Sequence, residues 1–404
     1  MSNKAHLWVE HTVVPGDQIL VTAVLENPGR STQKLWYRIP SLHRHEIATS
    51  CDALVIGFLF SLMRNGVDLR VHGEVSPSLL RNLDEFESVW AVWHPERYRR
   101  IEITAESERE TRGAIPQDSA ILAFSGGVDS SFSAWRHGKN LCGRWGRRVR
   151  TGLMIHGFDI PLAESDVFDR AASKSRAMLE SIGIKLVSIE TNYRDLGDDW
   201  LDAHGAAVAS CLMLFQKGYE CGLIASSSPY QQMHLPWGSN PLTDVMLSSE
   251  SFKIIHDGAS FTRIEKIRAI AGWPELRKNL RVCWEGAEQD RNCGRCEKCI
   301  RTILNFRAIG SGLPECFERD VSDRQILNLQ GLKPVPLYYL QEILAASQGA
   351  SISGTWVAVL EECIKRNIHG EGFIRELWKS ARTTVALRTR LRRLAAAIFH
   401  GRHE

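Results

Sequence analysis

Residues 121–131 are Ile-Leu-Ala-Phe-Ser-Gly-Gly-Val-Asp-Ser-Ser, in which an apolar run leads into Ser125-Gly126-Gly127-Val128-Asp129-Ser130. The pattern predicts a strand, a glycine turn and a helix. Glycine can adopt positive φ and approach a ligand closely, and the free N–H groups at a helix N-terminus attract an anion. With the hydroxyls of Ser125 and Ser130 as further donors, the stretch predicts a phosphate-binding loop. The alternative is a glycine turn that only joins a strand to a helix.

This loop lacks the lysine of the Walker pattern G-x-x-x-x-G-K-[ST]. It resembles instead the PP-loop, S-G-G-x-D-S, of the ATP pyrophosphatase families, whose members cleave ATP between the α and β phosphates. The resemblance implies that residues 125–130 bind ATP and that Asp129 and Ser130 are catalytic. It also implies Mg²⁺, because a metal offsets the charge that gathers on the leaving pyrophosphate. Asp129 is the candidate ligand for that ion.

Four cysteines cluster downstream, at Cys283, Cys293, Cys296 and Cys299. Short Cys-x-x-Cys turns bring thiolates onto one ion, and four sulfur ligands are typical of a closed, structural zinc site. The pattern therefore predicts Zn²⁺ in a stabilising role, without a chemical step. An iron–sulfur cluster and a redox cysteine pair are the alternatives.

The loop and the four cysteines, in this order, resemble the 7-cyano-7-deazaguanine synthase (QueC-like) family over about residues 118–310. That family has the adenine nucleotide alpha hydrolase-like (HUP) fold, with its zinc site near the active site. Its members adenylate a 7-deazaguanine carboxylate, convert it to an amide with ammonia, and dehydrate the amide to a nitrile after a second adenylation. The family's second strand usually leads into a Tyr-Gly-Gln-like segment, whereas this chain has His156-Gly157-Phe158-Asp159.

The region between the two motifs alternates apolar runs with helical periodicity, which predicts an α/β fold with a mostly parallel sheet. Ligands of such sheets bind at the carboxyl ends of the strands. Polar residues follow the predicted strands there, and we expect them to contact substrate or nucleotide: His156, Asp159, Asn192, Arg194, Ser226 and Ser227. Each also has an ordinary explanation as a strand-end, loop or turn residue.

Two further cations begin a predicted helix after a short strand at residues 251–256. Thr262 is the expected N-cap, and Arg263 and Lys266 are three positions apart, so both can reach one phosphate. We expect them to be catalytic. The alternative is an exposed basic face paired with Glu265. Residues 238–244 are rich in turn formers and form either a lid or a plain connection.

The flanking regions predict two more units. Residues 1–117 show strands at 7–14, 18–25, 34–39, 67–72 and 100–105 with helices at 51–64 and 77–93, which indicates an α+β accessory domain joined by a linker at 111–119. Its tryptophans are expected in the core. Residues 311–404 predict a helical extension, with helices at 336–346 and 355–367. A basic stretch at 379–403 is expected either to bind nucleic acid or an acidic protein surface, or to dock as an amphipathic helix.

Composition sets the remaining bounds. The chain has 404 residues, a net charge of +3 and 44% hydrophobic residues, enough for a full core. The start is polar, and the apolar run at residues 53–63 is too short to span a bilayer. We therefore expect a cytoplasmic protein with no membrane partner.

Extended QueC-like proteins occur in antiphage defence operons, including cyclic-oligonucleotide signalling (CBASS) systems, and this chain resembles them. The extra domains suggest an acceptor larger than ammonia. The leading hypothesis is that ATP activates a 7-deazaguanine carboxylate as an acyl-adenylate, and that an amine, such as the N-terminus of a partner protein, takes the acyl group to form an amide. The alternatives are a 7-cyano-7-deazaguanine synthase using ammonia, a PP-loop tRNA-modifying enzyme, and a non-enzymatic nucleotide-binding module.

Overall fold

The computed structural model describes residues 4–14, 17–110, 118–283, 285–286 and 288–380. Ten strands in this part of the chain form one sheet. They are β1 (Ala5–Val14), β2 (Gln18–Glu26), β3 (Gln33–Pro40), β4 (Leu69–Val75), β5 (Ile103–Glu108), β6 (Ser119–Ala123), β7 (Arg148–His156), β8 (Lys185–Thr191), β9 (Cys221–Ala225) and β10 (Lys253–Asp257).

The order of the strands is β10-β9-β6-β7-β8-β3-β2-β1-β4-β5. The neighbouring pairs from β10 to β8 are parallel, as are β1-β4 and β4-β5. The three pairs from β8 to β1 are antiparallel. The predicted α/β class with a mostly parallel sheet is therefore confirmed.

The N-terminal strands join the central strands through a short antiparallel pairing of β3 with β8. Tyr37 lies opposite Thr191, and Arg38 opposite Glu190. The Arg38 guanidinium also forms a 2.6 Å ion pair with the Glu190 carboxylate. The sheet is thus continuous across the predicted domain boundary at residue 117, which falls inside one compact unit, residues 1–293 with 314–318. The predicted linker at 111–119 lies outside the described residues except for its last two positions.

Eleven α-helices are present in the described ranges. They are α1 (Asp52–Asn65), α2 (Pro77–Trp93), α3 (Val128–Gly138), α4 (Ser165–Glu180), α5 (Trp200–Met213), α6 (Arg263–Ile270), α7 (Pro274–Asn279), α8 (Glu297–Ala308), α9 (Asp323–Leu327), α10 (Pro334–Gly349) and α11 (Thr355–Ser380). None of the helices in the described part of the chain is long and apolar enough to cross a lipid bilayer.

Helices cover both faces of the central strands. Successive side chains of a strand point to opposite faces. Leu153 of β7 belongs to the large core that includes residues of α1 and α5, whereas the neighbouring Met154 packs with Phe168 of α4. This two-sided burial explains the nearly continuous apolar runs of β6 and β9.

The buried helix α1 fixes the N-terminal strands to the central region. Its residues from Asp52 to Met63 are buried, as the apolar run at 53–63 predicts. Gly57 allows close packing, because a Cβ there would lie 2.6 Å from the Leu35 side chain of β3. The Tyr37 hydroxyl of β3 is 2.6 Å from the Ser210 hydroxyl of α5. The predicted accessory domain therefore shares one core with the central strands.

The second unit, residues 294–313 with 319–404, is helical where it is described. Helix α10 packs against α8 and α11, and α9 packs against α11. Asn367 of α11 donates to the carbonyl of Leu329, which ties the last helix to the segment before α10. The predicted helices at 336–346 and 355–367 are confirmed with wider bounds. Most of the predicted basic stretch lies outside the described residues, which end at 380.

Candidate functional site

The serine-glycine loop joins β6 to α3, in the strand-loop-helix arrangement that the sequence predicts. Gly126 has φ of 76°. A Cβ at this position would also lie 3.1 Å from the Ser175 hydroxyl of α4, so only glycine fits without strain. Gly127 is the N-cap residue of α3 and has an extended backbone. The loop thus delivers the N-terminus of α3 to the carboxyl end of β6.

The hydroxyls of the loop are held by long hydrogen bonds. The Ser130 Oγ lies 3.3 Å from the Ser125 N, from the Ser125 Oγ and from the Gly127 carbonyl. These separations exceed the usual 2.7–2.8 Å of an O–H···O bond, so each contact is weak. The two hydroxyls can therefore turn toward an anionic ligand at little cost.

Asp129, on the first turn of α3, binds two cations of α6. Its Oδ1 lies 3.0 Å from the Lys266 Nζ and its Oδ2 lies 3.0 Å from the Arg263 guanidinium. The Lys266 side chain is only 2% exposed, and its Nζ also donates to the Ser226 carbonyl at 2.6 Å. A buried ammonium is tolerated only when it is paired and hydrogen-bonded, as here.

The N-terminus of α6 is built as predicted. Thr262 caps the helix and Glu265 bonds back to Thr262, which completes a capping box. Glu265 bonds to Thr262, and the Lys266 side chain is buried rather than part of an exposed basic face. Arg263 and Lys266 lie on one helix face and converge on one acceptor, the carboxylate of Asp129.

Arg281 is a site residue that the sequence did not single out. Its guanidinium donates to the Ser125 carbonyl at 3.0 Å, and its backbone N–H donates to the Gly126 carbonyl at 3.0 Å. It also lies 3.7 Å from the Asp159 carboxylate. Burial lowers the pKa of Arg281, against the opposing effect of Asp159. Only its place two residues before Cys283 connects it to a predicted motif.

The four predicted metal ligands come together. The Sγ atoms of Cys283, Cys293, Cys296 and Cys299 all lie within 4.8 Å of one another. Zn–S bonds of about 2.3 Å in a tetrahedron place sulfurs about 3.8 Å apart, so these four thiols fit a Zn²⁺ ion with small adjustments. Four sulfur ligands leave no open position for substrate. The group can therefore hold a metal, and its donor set fits zinc in a structural role.

Helix α4 forms ion pairs with the segment between Cys283 and Cys293. The Lys174 ammonium lies 3.1 Å from the Asp290 carboxylate, and the Arg170 guanidinium lies 3.3 Å from it. Burial alone would raise the pKa of Asp290, but these hydrogen bonds outweigh it and hold the pKa below its ordinary value. The same helix carries Ser175, whose hydroxyl lies beside Gly126 of the serine-glycine loop. Helix α4 thus lies next to both the serine-glycine loop and the segment between Cys283 and Cys293.

Three predicted substrate residues have structural partners instead. The His156 ring is buried, stacks on Phe168 at 4.4 Å and bonds to the Pro161 carbonyl. The Asn192 side chain accepts from the Trp36 N–H and donates to the Lys34 carbonyl, which ties the end of β8 to β3. Arg194 lies over the Trp200 ring at 4.4 Å. For His156 and Asn192, these contacts match the ordinary explanations of a strand-end and a loop residue.

The other three predicted substrate residues lie beside the loop. Ser226 contributes its carbonyl to Lys266, while its hydroxyl donates to the Ser228 carbonyl. The Ser227 carbonyl is 3.4 Å from the Arg263 guanidinium. Asp159 approaches the loop through Arg281. Backbone carbonyls of the serine run therefore help to hold the two cations.

An aromatic cluster, Phe158, Trp200, His204 and Trp237, extends from the Asp159 side of the site. Ring centroids are 5.0 Å apart for Phe158 and Trp200, and 5.2 Å apart for His204 and Trp237. Trp237 is 38% exposed. Aromatic faces of this kind suit a planar heterocycle. The cluster is assembled from three separate segments, so no local sequence pattern predicts it.

The segment at residues 238–244 is a fixed connection and not a lid. Asn240 and Asp244 are buried, and Asn240 donates to the Trp237 carbonyl at 2.7 Å. The Asp244 carboxylate lies 2.7 Å from the Ser239 hydroxyl and 2.8 Å from the His256 ring of β10. A buried, hydrogen-bonded segment of this kind is costly to open.

In comparisons with known proteins, no family model, no curated protein and no solved structure matches the chain. The molecule is an α/β protein with a mostly parallel sheet, a serine-glycine loop at the carboxyl end of β6 and a four-cysteine group able to hold a metal. Any assignment of activity therefore depends on the residues and their geometry.

Proposed function

We propose that the protein is an ATP-dependent enzyme that adenylates a 7-deazaguanine carboxylate, releases pyrophosphate, and passes the acyl group to an amine to form an amide. The observation that carries the proposal is the grouping of Asp129, Arg263 and Lys266 against the serine-glycine loop. This grouping lies at the carboxyl end of parallel strands, where ligands of such sheets bind.

The loop offers what a triphosphate needs. It supplies the N–H groups at the start of α3, the weakly held hydroxyls of Ser125 and Ser130, and the nearby cations of α6. The Arg281 Nε is buried without a hydrogen-bond partner among the described residues, next to the same loop. A buried N–H without a partner in the chain suits an acceptor from a bound ligand, such as a phosphate oxygen.

In the proposed first step, a substrate carboxylate oxygen forms a bond to the α phosphorus of ATP. The bond from that phosphorus to the bridging oxygen breaks, and pyrophosphate leaves. Arg263 and Lys266 stabilise the charge that develops, because preorganised cations at the reacting phosphates cost no reorganisation. Asp129 is the residue that would hold Mg²⁺, which supplies further neutralisation of the leaving group.

The site beside Asp159 suits the heterocycle. A carboxylate can accept hydrogen bonds from the ring N–H and amino group of a guanine-like base, and the cluster of Phe158, Trp200, His204 and Trp237 can cover the base plane. The identity of the base as a 7-deazaguanine rests on the resemblance of the loop and cysteines to QueC-like enzymes.

In the proposed second step, an amine nitrogen attacks the carbonyl carbon of the acyl-adenylate. The bond from that carbon to the phosphate oxygen breaks, AMP leaves, and the amine loses a proton. The N-terminus of a partner protein is the proposed acceptor, in keeping with the resemblance to defence-operon proteins. With ammonia as acceptor, the same step gives the primary amide on the route to a nitrile.

Pyrophosphate release tests the proposal. The full-length protein is incubated with ATP, Mg²⁺ and 7-carboxy-7-deazaguanine, and with the matched base that lacks the carboxylate. We expect pyrophosphate and AMP only with the carboxylate, and a mass increase on an added amine. No pyrophosphate release with the carboxylate, under conditions where a known synthase turns over, would refute the proposal.

A further inference from the structure

A cavity lies at the opposite end of the parallel strands from the serine-glycine loop. It has a volume of about 1010 Å³ and is lined by residues at the amino ends of three parallel strands: Asp118 before β6, Arg148 at the start of β7 and Lys185 at the start of β8. The loop follows the other end of β6. The cavity, here called the basic cleft, is therefore separate from the proposed ATP site.

Positive charge dominates the walls of the basic cleft. Arg147, Arg148, Arg150 and Lys185 line it, against the carboxylates of Glu46 and Asp118. The Glu46 carboxylate is already engaged with the His43 ring at 2.7 Å. Burial would raise the pKa of Glu46, but the His43 contact and neighbouring cations hold it below its ordinary value. The remaining cationic charge favours an anionic ligand.

Three of these cations have no acidic partner among the residues that the structure describes. Arg147, Arg148 and Lys185 form no ion pair with any residue in the described ranges. Arg148 and Lys185 are exposed. Arg150 differs, since it lies over the Tyr219 ring and 4.0 Å from Glu46. Unpaired cations around one cavity raise the local concentration of anions.

An exposed tryptophan lies in a segment that lines the basic cleft. Trp145 lies between Gly143 and Gly146, both of which line the cavity, and it is 51% exposed. The Arg147 guanidinium lies 5.7 Å from its ring centroid. Residues 143–150, Gly-Arg-Trp-Gly-Arg-Arg-Val-Arg, thus combine four arginines with one aromatic face. Sequence analysis did not single out this segment.

We propose that the basic cleft binds single-stranded nucleic acid, with backbone phosphates on Arg147, Arg148 and Lys185 and a base stacked on Trp145. A cationic groove with an exposed aromatic side chain is the arrangement that binds unpaired strands, because every base has a face that can stack. A duplex keeps its bases stacked inside and cannot use Trp145. An acidic peptide would use the cations but gain nothing from the stacking surface. The proposal is independent of the ATP-dependent activity.

Fluorescence anisotropy with the full-length protein tests the proposal. The probes are labelled single-stranded RNA and DNA of about 12 nucleotides, within the usual site sizes. A duplex of the same sequence and a polyglutamate peptide are the comparison probes. We expect single strands to bind tightest. A plot of the logarithm of the binding constant against the logarithm of the salt concentration should have a negative slope, of which three phosphate contacts contribute about −2.

The variants separate the cleft from the basic C-terminal stretch. Trp145→Ala is expected to weaken single-strand binding about tenfold, the loss of one stacked base. The double variant Arg147→Glu/Arg148→Glu is expected to weaken it further and to flatten the salt slope. Arg176→Glu is the matched control, since Arg176 is exposed on α4 and does not line the cleft, and it should bind as the unmodified chain does. Melting curves check that each variant is folded.

Two results would overturn the proposal. One is unchanged single-strand affinity in Trp145→Ala and in the double arginine variant. The other is equal or tighter binding of the duplex or of polyglutamate, with no effect of Trp145→Ala, which would assign the cleft to another anionic partner.

Discussion

The carboxylate of Asp129 lies 3.0 Å from the Nζ of Lys266, although 137 positions separate the two residues in the chain. The contact brings the first turn of α3, which follows the glycine loop, to the first turn of α6. Lys266 also holds the end of β9 through the Ser226 carbonyl. One buried ammonium therefore joins the three elements that form the proposed ATP site.

Replacing Lys266 tests this relationship. Lys266→Met keeps most of the apolar stem but removes the charge, so we expect pyrophosphate release to fall about 100-fold or more, as for the loss of one preorganised donor. Lys278→Met is the control, because Lys278 is an exposed lysine of α7 paired only with its helical neighbour Glu275. Steady-state pyrophosphate release is measured for both. Equal activity in the two variants would contradict a catalytic role for Lys266.

The loop hydroxyls give a second test. Ser130→Ala removes the hydroxyl that the loop holds at 3.3 Å, and we expect pyrophosphate release to fall about 100-fold with little change in melting temperature. Ser131→Ala is the matched control, since the neighbouring Ser131 hydroxyl is buried and has no hydrogen-bond partner in the described part of the chain. If Ser131→Ala loses activity and Ser130→Ala does not, the Ser130 hydroxyl is not a phosphate contact.

The cysteine group predicts bound metal. Cys296→Ser removes one of four sulfur ligands, so zinc measured by mass spectrometry should fall from about one ion per chain, and the melting temperature should fall by several degrees. Cys142→Ser, outside the group, should keep the metal. Iron with visible absorbance, in place of zinc, would favour the iron–sulfur alternative. Full metal content in Cys296→Ser would show that the group is not the site.

Stability should depend on pH through His137. Its ring lies 3.2 Å from the buried Asp257 carboxylate. Burial would lower the pKa of His137, but its interactions with Asp257 and Cys142 outweigh burial and raise the pKa from 6.5 to about 9. Because the pKa of His137 is higher in the folded state, protonation of this ring stabilises the fold. The stabilisation is fully present below pH 6.5 and is lost as the pH rises through 9.

His137→Gln should therefore show a smaller fall in melting temperature between pH 6.5 and 9 than the unmodified chain. The comparison between the two proteins is needed because burial also raises the pKa of Glu87, to about 8, and that group acts in the same direction. Parallel pH profiles for the two proteins would show that the His137 contact with Asp257 contributes nothing.

Asn192 should act on stability and not on substrate binding. Its side chain makes two hydrogen bonds to the backbone of β3, so Asn192→Ala leaves both backbone groups without that partner. We expect a loss of about 1–3 kcal/mol in the free energy of unfolding, measured with urea. The KM for the deazaguanine carboxylate should stay the same. A raised KM with unchanged stability would restore the substrate role that the sequence suggested.

Local sequence predicted the local structure well. The helices at 51–64 and 77–93 differ from α1 and α2 by at most one residue at each end. Thr262 caps α6 as expected, because Thr-x-x-Glu satisfies the first N–H groups of a helix whatever surrounds it. The four cysteines converge because their short spacing leaves little other choice. Each of these predictions depends on interactions within a few residues.

The unpredicted features are contacts between distant segments. Nothing near Asn192 shows that β3 will pair with β8, and this pairing turns a predicted substrate residue into a link between strands. Arg281 reaches the glycine loop from more than 150 residues away. Sheet neighbours and buried partners of this kind follow from how the whole core packs, which local periodicity does not record.

The sequence by itself determined the strand-loop-helix unit around Ser125–Ser130, the bounds of most helices and strands, and the set of thiols that can hold a metal, because these depend on turn residues, caps and spacing. Tertiary structure alone decided that the N-terminal strands share one sheet and one core with the central strands. It also brought Lys266 into contact with Asp129 and formed the basic cleft at the amino ends of β6, β7 and β8. The reason is physical: burial of apolar faces brings distant segments together, and the polar groups carried with them must then find partners.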